Sequence, residues 1–141
     1  MPLTPETAYL LNVASASAMA AVLWVVQLAI YPLFNGIGIE GFTPYHRRYT
    51  TAIGWIVGPL MLAEAGATLA LWLLGERSAL FYAASALLGL NWVMTALVQV
   101  PLHRQLSGGF DATAHRRLVW SNWFRTVAWT ARAGLLLGLH G

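Results

Sequence analysis

Residues 115–139, HRRLVWSNWFRTVAWTARAGLLLGL, form a stretch long and apolar enough to cross a bilayer, yet Asn122, Arg125 and Arg132 lie well inside its ends. Side chains three and four apart share one face of a helix. His115, Leu118, Asn122, Arg125, Trp129 and Arg132 follow that spacing and make a single stripe. A charge facing lipid is costly, about 2.5–3.5 kcal/mol even on insertion scales. The stripe is therefore expected to face the inside of a helix bundle.

The rest of the chain agrees. Of 141 residues, 58% are hydrophobic and 9% charged, well under the roughly 25% charged of a soluble domain. This composition reads as one integral membrane domain, residues 1–141. The formal charge of +3 comes from arginines near segment ends, a topology signal and not a nucleic-acid footprint. Cysteine is absent, which removes disulfides, thiolate metal sites and cysteine nucleophiles.

A span needs about 20 apolar residues. Residues 8–34 carry no charge and are rich in Ala and Ser; that helix is expected to end near Tyr31-Pro32. Thr43-Pro44 looks like the start of a second helix running to about Leu74, roughly 46 Å at 1.5 Å per residue. Within it, Gly54 and Gly58 offer a close-packing face. The third span covers residues 79–102, and Asp111 is a natural N-cap for the fourth. The expected fold is all-α, an integral membrane four-helix bundle. Arg47, Arg48, Arg104, Arg116 and Arg117 sit on the first and third connections, so both termini are expected outside the cytoplasm.

The halves match at an offset of 69 residues: Pro32-Leu33 with Pro101-Leu102, and His46-Arg47-Arg48 with His115-Arg116-Arg117. This reads as two tandem helix-pair repeats, about 8–75 and 79–139, related by an axis along the membrane normal. Asn122 and Arg125 align with Ile53 and Ile56, so the second half is polar where the first is apolar. Glu64 and Arg132 fall at similar depth, which suggests a buried pair of Glu64 with Arg132 or Arg125.

The polar positions suggest a pocket built from Arg125, Asn122 and Glu64, completed by Gln27, Tyr31, Asn91, Thr95, Gln99, Trp120, Trp129 and Arg132. The same residues could equally form a structural hydrogen-bond network between helices. His46, His103 and His115 are candidate ligands for a metal or haem, although no His-x-x-x-His pair occurs; two of them precede Arg-Arg, which also suits an interfacial belt. No phosphate loop, Ser-His-Asp set or carboxylate pair can be assembled.

At Gln99-Val-Pro-Leu-His103 and Trp120-Ser-Asn-Trp-Phe-Arg125 the sequence resembles the anthrone-oxygenase-like family of small four-helix bacterial membrane proteins. The resemblance implies the bundle fold, a bacterial inner membrane location, and roles for Asn122 and Arg125. Some members oxygenate polyketide-derived anthrones without an obvious organic cofactor. The expected function is thus an oxygenase or oxidoreductase acting on a lipophilic aromatic or quinone-like molecule. The alternative is a non-catalytic accessory subunit of a larger membrane complex, and a homo-oligomer is also open. A third reading is a small transporter working around Glu64.

Overall fold

Capping residues set three of the four helix starts. In the computed structural model, which describes residues 4–140, the Thr4 side chain accepts from the Thr7 amide at 3.1 Å and opens α1, Pro5–Gly36. Ser78 accepts from Phe81 N–H at 3.3 Å and opens α3, Ala79–Leu106. Asp111 accepts from Ala114 N–H at 2.7 Å and opens α4, Ala112–Leu137, as the sequence suggested. Each bond satisfies an amide that the first helical turn leaves without a partner.

The second helix departs from expectation. α2 spans Ile39–Leu73 and begins after Gly38 with no side-chain cap, ahead of Thr43-Pro44. The reason is Phe42, which is fully buried and packs against Phe34, His46 and Phe110 with ring centroids 6.0, 5.4 and 5.1 Å away. Burying that ring holds the additional turn in place despite Pro44.

α1 also runs past its expected end. Proline inside a helix removes one N–H and its ring presses on the carbonyl four residues back. A π-helical turn, Val26–Ile30, lies directly before Tyr31-Pro32, and α1 continues through it to Gly36. α3 repeats the device, with a π turn at Thr95–Gln99 before Val100-Pro101, so α3 also extends beyond residue 102. The widened turn relieves the clash without breaking the helix. Gln27 and Gln99 sit inside these two turns, and both are buried.

α1 packs along α2 and α4, and α3 packs along α4, while α2 and α3 scarcely touch. The result is an all-α bundle, open along one side, with no strand among the described residues. Ala8, Ala16 and Ala20 on α1 are buried, small enough to let neighbouring helices approach. α2 contributes Met61, Glu64, Ala67 and Leu71 to the interior. Gly54 and Gly58 are not a close-packing face: an added Cβ at either would meet nothing within 4 Å.

The outer surface is apolar. Trp55 is 78% exposed, Trp120 75% and Leu97 72%, an arrangement compatible with a lipid environment. α1, α2 and α3 are long and apolar enough to cross a membrane. α4 falls short of that standard because its hydropathy includes Asn122, Arg125 and Arg132, yet all three side chains are buried.

Candidate functional site

The stripe on α4 faces inward along its whole length. His115, Leu118, Asn122, Arg125, Trp129 and Arg132 are all buried, as the three-and-four spacing requires. They divide into two clusters with different chemistry.

The first cluster is built around an ion pair. Arg132 Nη1 lies 2.8 Å from Glu64 Oε2, both side chains fully buried. Trp129 Nε1 donates to the same carboxylate at 2.9 and 3.1 Å. Arg132 Nη2 donates to Asn12 Oδ1 at 2.7 Å and Thr68 Oγ1 at 2.9 Å, tying α1, α2 and α4 together. Of the two pairings that the sequence left open, Glu64 takes Arg132. The carboxylate is thereby committed to Arg132 and Trp129. Asn12 and Thr68 were not singled out in the sequence, although Asn12 is the lone Asn of the uncharged run 8–34, which was the available signal.

The second cluster is open. Gln27 Nε2 donates to the Val119 carbonyl at 3.3 Å, and Asn122 Nδ2 donates to Gln27 Oε1 at 2.8 Å. Asn122 Oδ1 accepts from Arg125 Nη1 at 2.9 Å. The Arg125 guanidinium also lies over the Trp129 ring, 5.2 Å from its centroid, a cation–π contact that joins the two clusters. Arg125 Nε has no acceptor. The arginine borders a cavity of about 120 Å³ between α2 and α3, together with Tyr31, Tyr49, Thr95, Gln99 and His103. Leu23, Val26, Ile53, Val57 and Val100 supply its apolar walls. Further along the same two helices lies an apolar groove of about 480 Å³ lined by Leu69, Trp72, Leu88 and Trp92.

A chain of hydrogen bonds leads from the cavity toward the end of α3. Tyr31 Oη is 3.3 Å from Gln99 Oε1 and 2.8 Å from His103 Nε2. His103 Nδ1 is 3.0 Å from His46 Nε2, and His46 Nδ1 is 3.3 Å from Ser107 Oγ. His46 and His103 are thus hydrogen-bonded to each other, and the three histidines do not converge on one centre. His115 turns away, its Nε2 2.7 Å from the Tyr31 carbonyl. Among the described residues no group of three or more His, Asp or Glu is placed to hold a metal ion. Both ring nitrogens of His46 are engaged, and its ring stacks on Phe42.

Other expected site residues scatter. Trp120 points outward and borders a separate groove with Leu97, Pro101 and Arg117. Trp129 fills the space between the clusters and does not line the cavity. Asn91 is fully buried with neither amide atom bonded. Tyr49 and Ser121 were missed. Tyr49 lies three residues after His46, on the same helix face, which was its legible signal; Ser121 accepts from Gln99 Nε2 at 2.8 Å.

No family model, no curated protein and no solved structure matches this chain.

Proposed function

We propose that this protein is a membrane oxygenase or oxidoreductase whose substrate is a lipophilic aromatic or quinone-like molecule entering between α2 and α3. The observation that carries this reading is the cavity at Arg125. Its inner wall is lined with polar side chains, its sides are apolar, and an apolar groove extends along the same helices. An apolar pocket with a few convergent polar groups is the usual form of a small-molecule site. A cavity near 150 Å³ takes benzene, so about 120 Å³ would admit one ring only with some widening at its open side, and the remaining body would lie in the groove.

Arg125 would stabilise an oxyanion developing on that ring, an effect that is large in a dry site. Gln99 and Tyr31 would orient the ring oxygens. His103, which lines the cavity within reach of Tyr31, would take the proton, with His46 as the next imidazole in the chain; Glu64 is paired with Arg132 and does not line the cavity. The anthrone-oxygenase-like resemblance in α3 and α4 supports the same reaction class, with dioxygen as the oxidant. We also infer an origin by duplication, supported by the two π turns at the same offset of 69 residues as the paired prolines. All four helices would cross a bacterial inner membrane, with the exposed arginines of the first and third connections on the cytoplasmic side.

The test is dioxygen uptake during oxidation of a decyl-substituted hydroquinone, one ring with an apolar tail, by protein purified in mild detergent, comparing wild type with Arg125→Ala and His103→Ala. Folded variants that keep full turnover, or a wild type with none, would sink the proposal. An absorption spectrum and metal analysis of the same preparation report on any bound haem or metal.

A further inference from the structure

The charges buried in the bundle do not balance. Arg125, Arg132 and Glu64 are the buried Arg and Glu side chains among the described residues, and the single ion pair joins Glu64 to Arg132. Arginine stays protonated in proteins. One positive charge is therefore left over. Its contacts are all neutral: the Asn122 amide oxygen at 2.9 Å and the face of Trp129 at 5.2 Å. Its Nε is buried without an acceptor, as is that of Arg132, so the missing counter-charge is what sets Arg125 apart. A buried charge without a partner costs free energy, which the fold meets at Arg132 and leaves unmet at Arg125.

The unmet charge lies at the wall of the 120 Å³ cavity, beside the hydroxyls of Tyr31 and Tyr49 and the amide of Gln99. Resting on the proposed site, we infer that its proper occupant binds as an organic anion: a single ring bearing one ionised enol or phenol oxygen, with an apolar tail. Guanidinium pairs strongly with an oxyanion, and the apolar walls favour a ring over a hydrated inorganic ion. The requirement goes beyond a developing charge in a reaction, because Arg125 is unpaired before any chemistry begins.

The experiment compares two matched probes against the full chain in nanodiscs of phosphatidylcholine. One is a decyl-substituted hydroxybenzoquinone, ionised at neutral pH; the other is the corresponding methylbenzoquinone, which is neutral. Tryptophan quenching reports binding. The anion is expected to bind at least about tenfold more tightly than the neutral probe. Arg125→Gln should bring the two within about threefold by weakening the anion alone, and Arg125→Lys should keep part of the preference. Equal affinity of the two probes for wild type would overturn the charge requirement while leaving the ring site intact. Failure of both probes to bind would instead sink the proposed site itself. Displacement of the anionic probe by phosphatidylglycerol would also overturn the inference, since the charge at Arg125 would then be met by lipid phosphate.

Discussion

Replacing Glu64 by Gln removes one half of a fully buried ion pair and keeps the volume. The change leaves Arg132 without a counter-charge beside a Trp129 N–H that formerly met a carboxylate. Removing one partner of a buried pair costs about 3–5 kcal/mol. Ordinary interhelical hydrogen bonds in membrane proteins average only about 0.6 kcal/mol. The charge term therefore decides the outcome, and Glu64→Gln should destabilise by about 3 kcal/mol or more. Arg132→Met alone strands the carboxylate and drops the bonds to Asn12 and Thr68, for a similar loss. The double variant contains no unpaired charge at this position and should cost about 3 kcal/mol, not the sum of its parts. The assay is an unfolding cycle in mixed micelles titrated with SDS. A coupling energy of about 2–3 kcal/mol is expected. Additivity within about 0.5 kcal/mol would refute the claim that Glu64 is held for Arg132.

Asn91 has two bonding atoms and no partner, so Asn91→Leu should leave stability unchanged or raise it by about 1–2 kcal/mol in the same unfolding assay. A clear loss would mean that the amide is hydrogen-bonded after all or that Leu does not fit the site. Tyr31→Phe removes the hydroxyl between Gln99 and His103 and should cost about 1–2 kcal/mol while weakening quinone binding in the quenching titration. Unchanged stability and binding would remove Tyr31 from the hydrogen-bond chain. In single-tryptophan variants, brominated lipid should quench Trp55 and Trp120 strongly and Trp129 hardly at all, given exposures of 78%, 75% and 0%. Equal quenching of all three would contradict the packing of α4.

The parts of this fold that could be read from the chain are those governed by periodicity and desolvation. The stripe on α4 was legible because charges spaced three and four apart have one cheap direction in which to point. The Asp111 cap was legible because it is a local bond between a side chain and a nearby amide. The helix ends at Pro32 and Pro44 were not. Proline reads as a boundary in sequence, but a π turn absorbs the first and burial of Phe42 overrides the second. The site was half legible for the same reason. Gln27, Tyr31, Gln99 and Arg125 stood out as polar residues in apolar runs. That His103 meets His46 across two helices depends on rotations that spacing leaves undetermined, whereas Trp120, about 160° around α4 from Asn122, was turned outward by the spacing itself.

On the proposed site, the two arginines of α4 would separate structural from functional use of the same residue type. Seven positions apart, they lie on one face two helical turns from each other. Arg132 is met by a carboxylate, an amide oxygen and a hydroxyl, and it does not line the cavity at Arg125. Arg125 meets one amide oxygen and an aromatic face, and it borders the cavity between the two helices that fail to close on each other. A bundle selected for stability alone would supply the second carboxylate or lose the second arginine. α1 and α2 both pass close enough to have supplied one: Val26 and Ile53 line the same cavity and are apolar. On the proposed site, the partner that Arg125 lacks would be a ligand arriving from outside the chain, through the side of the bundle that α2 and α3 leave open.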